Sequence, residues 1–166
     1  MPARGGVVVN LELRHYHSDP VTLDRTRIYE QSELSTFTKP QGFWVSVVGE
    51  DDWPSWCSTE LTVEHTVTLA STATVLHIDN ADRLGEFHKQ YSVQTDHERR
   101  YIDRAGENWP IDWRAVASDH DGIIIAPYQW SVRHSLSWYW GWDVASGCIW
   151  NLEAIESVTA HKAVSS

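Results

Sequence analysis

The sequence predicts a mixed α+β domain, and three features carry the prediction. Period-two apolar patterns recur along the chain, cleanest in LTVEHTVTLA, residues 61–70. There Leu61, Val63, His65, Val67 and Leu69 fall on one side and Thr62, Glu64, Thr66 and Thr68 on the other. Helical patterns interrupt these runs: Leu84, Phe87, His88 and Tyr91 recur at i, i+3, i+4 and i+7. The third feature is scale. A chain of 166 residues, 42% hydrophobic and 22% charged, without repeats or a linker, fits one domain over residues 1–166. Its core spans about residues 6–158, with a disordered tail over 159–166. Six or seven strands and three short helices are expected.

In chain order, GVVVNLELRHY at residues 6–16 reads as a strand with Val9, Leu11 and Leu13 on one face. It ends at His15-Tyr16-His17-Ser18-Asp19-Pro20, where Asp-Pro starts a turn. Two histidines and a tyrosine brought to a turn suit ligand contacts. VTLDRTRIYEQ, from residue 21, reads as a short strand or a helix, and Ser35 to Thr38 as loop.

KPQGFWVSVVGEDDWPSWCSTE, residues 39–60, organises the rest. A Pro-Gln-Gly turn leads into the strand Phe43 to Val48. The chain breaks at Gly49, and Asp51 or Asp52 caps a helix with Pro54 in its first turn. Trp44, Trp53 and Trp56 therefore surround one strand-to-helix corner, an apolar wall suited to a flat ring. Taken singly, each of these tryptophans reads better as core, since Trp is usually largely buried.

Beyond that corner, residues 61–70 and 74–78 are strands, with His65 a satisfied, half-buried histidine on the apolar face. Asp79 or Asn80 caps the helix that carries Leu84 to Tyr91. Residues 95–108 are helix or loop. Pro110 fits the first position of PIDWRAVASD, a helix with Trp113, Val116 and Ala117 inside. The unbroken run Ile123 to Ala126 is a buried strand. Trp138, Trp140 and Trp142 alternate, as on one face of a strand. Asp143 and a Ser-Gly turn follow, then the strand Cys148 to Asn151, and Leu152 to Ile155 closes the fold.

Composition narrows the function. The net charge of −10 opposes a general grip on nucleic acid. Arg99, Arg100, Arg104 and Arg114 cluster, but Glu98, Asp103 and Glu107 sit among them, as on a solvated surface. Cys57 and Cys148 show no paired spacing and read as reduced thiols. No membrane-length apolar run and no leader pattern is present, so a cytoplasmic protein with no membrane partner is expected. Phosphate-loop, dinucleotide, nucleophile-elbow and zinc motifs are all absent, and no metal is expected. Ten tryptophans exceed what packing a domain of this size needs, so some line a pocket or interface.

The ordered elements resemble the ADP-ribosyltransferase fold, in the His-Tyr-Glu branch that includes diphtheria toxin and the poly-ADP-ribose polymerases. The resemblance spans residues 11–155 through short motifs. Gly42-Phe43-Trp44-Val45-Ser46 is similar to that family's second strand, and His15-Tyr16-His17 or His17-Ser18-Asp19 to the turn ending its first. The stretch at residues 42–57 is also similar to uncharacterised actinobacteriophage and bacterial proteins. Three departures stand out. Tyr16 or Ser18 replaces a glycine, tryptophans replace tyrosines, and the late acid is Asp143, one methylene shorter than glutamate, with Glu153 as the fallback.

The resemblance implies two small packed sheets with short flanking helices. It further implies an enzyme that takes NAD as substrate, releases nicotinamide and passes ADP-ribose to a macromolecular acceptor, protein or nucleic acid. Trp44 with Trp53 or Trp56 would stack on the nicotinamide. His15 would hold a ribose, with Tyr16, His17 and Ser46 beside it, and Asp143 would bind the nicotinamide ribose as the catalytic acid. The alternatives are a NAD or nucleotide glycohydrolase on the same fold, and a non-enzymatic, tryptophan-lined binding or inhibitor protein of phage origin.

Overall fold

Seven strands join into one mixed sheet in a chain with few helices. The structure, a computed structural model, describes residues 10–34, 38–101 and 108–161. The valines expected to begin the first strand, the loop at 35–37, Asp103, Arg104, Glu107 and the end of the tail at 162–166 lie outside the described residues.

The strands are β1 (Leu13–His17), β2 (Phe43–Val47), β3 (Val63–Leu69), β4 (Val75–Ile78), β5 (Gly122–Ile125), β6 (Ser146–Ile149) and β7 (Ile155–Ala160). Their order is β4-β5-β6-β2-β1-β3-β7. Only the β4–β5 pair is parallel. The expected pair of packed sheets is thus corrected to a single sheet, because β1 and β2 hydrogen-bond to each other. That seam is narrow. β1 meets β2 only at Leu13↔Val47 and Arg14↔Ser46, whereas it meets β3 at every position from Leu13 to His17.

Four helices accompany the sheet: α1 (Trp53–Trp56), α2 (Ala81–Tyr91), α3 (Asp96–Tyr101) and α4 (Trp113–Asp119). Short-range chemistry sets their starts. Asp52 accepts from the Ser55 N–H, Asn80 from Arg83 and Asp112 from Ala115. Pro110 therefore lies before α4 rather than in its first turn. α2 buries Leu84, Phe87, His88 and Tyr91, the stripe read from its spacing. Between 95 and 108, the described part is helical over Asp96–Tyr101.

The core is apolar and aromatic. Ile123, Ile124 and Ile125 are fully buried, as are Tyr139 and Ile149. His65 is also fully buried and doubly satisfied: its Nε2 accepts from the Val21 N–H at 2.8 Å, and its Nδ1 donates to the His15 carbonyl at 3.1 Å.

Several expectations are corrected. Trp138, Trp140 and Trp142 do not share a strand face. Residues Ser137–Gly141 form a 3₁₀ helix, which buries Trp138 and leaves Trp140 exposed; Trp142 follows it and is buried. Leu61 precedes β3 and is exposed. The described part of the segment from residue 21 is neither strand nor helix. It is tied down by Arg25, which donates to the carbonyls of Leu152 and Glu156, and by Gln31, which pairs with the Gln41 main chain. His15, Tyr16 and His17 lie within β1 and not in a turn. The expected Ser-Gly turn is strand instead: Ser146 and Gly147 begin β6, which runs Ser146–Ile149, two residues earlier than read. β7 runs to Ala160, where it pairs with His65, two residues into the segment expected to be a disordered tail.

Candidate active-site cleft

Strand register builds the floor of a cleft. Arg14 of β1, Ser46 of β2 and Ser146 of β6 sit side by side across three strands that are far apart in sequence. Alternation puts Trp44 on the same face as Ser46, and Tyr16 on the same face as Arg14. All five border a cleft of about 330 Å³, together with His15, Lys39, Val45, Trp53, Trp142, Asp143 and Val144. That volume lies within the usual range for small-ligand sites.

The walls are fixed by bonds back to the floor. The Trp53 N–H donates to the Ser46 hydroxyl at 2.9 Å, which hangs α1 on β2. The loop before β6 is held twice: Ala145 N–H donates to the Asp51 carbonyl at 2.8 Å, and Val47 N–H to the Ala145 carbonyl at 2.9 Å. The Trp44 ring meets Trp142 edge-on, with centroids 5.0 Å apart, and the Lys39 ammonium lies 5.2 Å from the Trp44 ring centre. Asp143, two-thirds buried, faces the Arg133 guanidinium at 3.5 Å.

His15 meets the cleft at the seam. Its ring is on the opposite face from Trp44, stacked on Phe43 with centroids 4.2 Å apart. Its Nδ1 bonds to the Trp44 carbonyl at 2.7 Å. A carbonyl only accepts, so Nδ1 carries the proton and Nε2 keeps a lone pair. Burial lowers the His15 pKa; the Trp44 bond opposes this, while His65 and His17 add to it. The ring is therefore neutral at neutral pH. Burial, with the charges of Glu64 and Asp52, pushes the Tyr16 hydroxyl up to about 12, so it remains a donor. Asp52 is ionised: burial works against its charge, but bonds from Ser55 and Gly49 outweigh it and lower its pKa.

Of the residues singled out in the sequence, the cleft gathers His15, Tyr16, Trp44, Ser46, Trp53 and Asp143. It leaves out three. His17 is exposed and accepts the Asp19 N–H. Trp56 packs on Trp53 outside the cleft and is 55% exposed. Glu153 is exposed on a 3₁₀ turn, Leu152–Ala154, and does not line the cleft. Sequence reasoning missed Arg14, Lys39, Val45, Trp142, Val144 and Ser146 as lining residues. The alternation around Arg14 was legible, but which strand would lie beside it was not.

The arrangement offers two indoles, Trp44 and Trp53, for a flat ring, one carboxylate and several hydroxyls, with the neutral His15 imidazole behind the seam. The Trp142 indole N–H is buried with no hydrogen-bond partner among the described residues. Among the same residues no three His, Cys, Asp or Glu side chains converge to hold a metal. No described helix is long and apolar enough to cross a membrane. No protein-family model matches the chain, and comparisons with curated proteins and with solved structures returned no match.

Proposed function

We propose that this domain is an ADP-ribosyltransferase-like enzyme that binds NAD in the cleft, releases nicotinamide and transfers ADP-ribose to a macromolecule. One observation carries the reading. β1, β2 and β6 come from distant parts of the chain yet lie adjacent, so His15, Trp44 and Asp143 border the same cleft. Trp44 and Asp143 are the flat clamp and the acid that the chemistry needs, and His15 braces the seam of β1 and β2 through the Trp44 carbonyl.

In that reading the nicotinamide ring stacks between Trp44 and Trp53, with buried Trp142 packed edge-on against Trp44. The bond between ribose C1′ and the ring nitrogen breaks, and its electron pair leaves with nicotinamide. Positive charge develops on the sugar, and the Asp143 carboxylate stabilises it. The Tyr16 hydroxyl, on the cleft face of β1, bonds the ribose and fixes the sugar for attack, while His15 braces the strand behind it through the Trp44 carbonyl. The acceptor's nucleophile then bonds to C1′ and gives up its proton.

The test is nicotinamide release from NAD, followed by chromatography, with labelled ADP-ribose traced in a lysate. Release is expected from the wild type and should fall at least about a hundredfold in Asp143→Asn, in line with losing a preorganised charge. His15→Ala should fall as well. Full turnover in both variants, or no release from the wild type with any acceptor, overturns the assignment. Release that needs no macromolecule points to a glycohydrolase on the same scaffold. Nicotinamide binding without release points to a binding protein.

A further inference from the structure

We infer that the corner beside the cleft, formed by Val48, Glu50, Asp51, Trp56 and Trp130, docks a basic segment of the protein that accepts ADP-ribose. The inference rests on the reading of the cleft given above and names the class of its acceptor.

The patch is continuous. Residues 48–56 form one corner of chain, and Trp130 is joined to it by its indole N–H, which donates to Asp51 at 3.1 Å. Trp56 packs on Trp53, with ring centroids 5.4 Å apart, and Trp53 itself lines the cleft. A segment lying on Trp56 would therefore reach the cleft mouth.

Exposure sets this corner apart. Trp56, Trp130 and Val48 are 55%, 57% and 42% exposed and lie together; among the described residues, other exposed apolar groups, such as Leu61, Ile28 and Trp140 beside His134, have no hydrogen bond or ring contact joining them to this corner. Large apolar groups clustered in water beside a pocket mark a contact surface. The corner's own packing does not require the Trp56 ring, which hangs from a four-residue helix with no buried residue.

Charge selects the occupant. Glu50, Asp51 and Asp52 run through the corner of a chain with net charge −10. Phosphates would be repelled there, and guanidinium or ammonium groups attracted. The indoles add a face for such cations. Trp130 already shows that geometry within the molecule: the Arg133 guanidinium lies 5.4 Å from its ring centre, with its charge matched by Asp143. The Trp56 ring faces no described cation and is open to one from a partner. Lys39 lies beside Trp44 and Gly141, and Arg14 is paired with Glu12 and Glu64, so neither cation of the cleft sits at this corner.

Fluorescence anisotropy without NAD tests the surface independently of turnover. The probes are a labelled peptide of alternating Arg and Leu, the same peptide with Glu for Arg, and a labelled single-stranded oligothymidine. The Arg peptide should bind, and the other two should not. Trp56→Ala and Glu50→Lys should each weaken binding about tenfold or more, as removal of an aromatic or charged anchor does. Trp56→Ala leaves the charge unaltered, so it separates docking from bulk attraction to an acidic protein. Equal or tighter binding of the oligothymidine or the Glu peptide overturns the inference, as does unchanged affinity in both variants. Nicotinamide release is read separately: its absence would remove the chemistry while peptide docking would still support the surface.

Discussion

The His15 imidazole donates from Nδ1 to the main-chain carbonyl of Trp44 across 2.7 Å, at the point where β1 and β2 stop pairing. A side chain there takes the place of a ladder bond. It closes the seam with a ring in place of backbone. The same contact ties β1 to the strand that carries the candidate ring clamp.

This contact predicts a pH dependence of stability. Burial lowers the folded pKa of His15 below its ordinary value of 6.5, so the unfolded chain takes up the proton first as pH falls. The stability it contributes is complete above pH 6.5 and is lost as pH falls through the lower, folded pKa. Urea midpoints measured from pH 7.5 down to about 5 should decline less steeply in His15→Asn than in the wild type. Asn retains a donor near the Nδ1 position, so its stability at pH 7.5 should lie within about 1 kcal/mol of the wild type. An unchanged pH slope would remove His15 as the titrating group.

Two buried tyrosines should respond oppositely to the loss of a hydroxyl. Tyr139 accepts the Gln129 N–H at 3.0 Å, whereas the Tyr128 hydroxyl is buried with no partner among the described residues. Tyr139→Phe strands a buried N–H and should cost about 1–3 kcal/mol, while Tyr128→Phe should be near neutral or stabilising. Denaturation of the two variants side by side checks the order. The reverse ranking would mean that the Tyr128 hydroxyl has a partner.

Gly147 lets β6 lie tightly against β5. A Cβ there would sit 2.6 Å from both the Ile123 carbonyl oxygen and Ile124 Cγ1. One of these is backbone and cannot swing aside, so Gly147→Ala should cost about 3 kcal/mol, at the upper end for overpacking. Gly49→Ala, where a Cβ would meet nothing within 4 Å, is the control and should change little. Comparable denaturation midpoints for the two variants would count against this strand packing.

Trp53 and Trp56 are neighbours with different surroundings. Trp53 lines the cleft and Trp56 does not. Trp53→Ala should weaken nicotinamide binding about tenfold, the scale of an aromatic stacking contact. Trp56→Ala should leave it within about twofold. Calorimetric titration of nicotinamide into each variant decides the matter, and equal effects would remove Trp53 as a specific clamp.

Much of the fold was legible where the signal is short-range. The stripe of α2, the caps at Asp52 and Asn80 and the buried run in β5 each depend on residues a few positions apart. The misreadings share a cause. The alternation of Trp138, Trp140 and Trp142 fits a strand, yet among the described residues no strand pairs with them, and a 3₁₀ helix buries Trp138 and exposes Trp140, with buried Trp142 just after it. Pro110 looked like a helix start, but Asp112 supplies the capping oxygen. For the site, residue type pointed to His15, Trp44 and Asp143. It also pointed to His17 and Trp56, which the backbone turns away from the cleft.

By itself the sequence determined the class of the fold, most of the strands and helices, and an aromatic corner at Trp44 and Trp53. Such features follow from periodicity and capping, which act over a single turn or a few residues. Only the tertiary structure decided that the strands make one sheet, that Ser46 lies between Arg14 and Ser146, and that Asp143 comes to face the same cleft as Trp44. Alternation tells which way a side chain points. Which strands become neighbours depends on contacts made across a hundred residues of chain, and no local pattern encodes them.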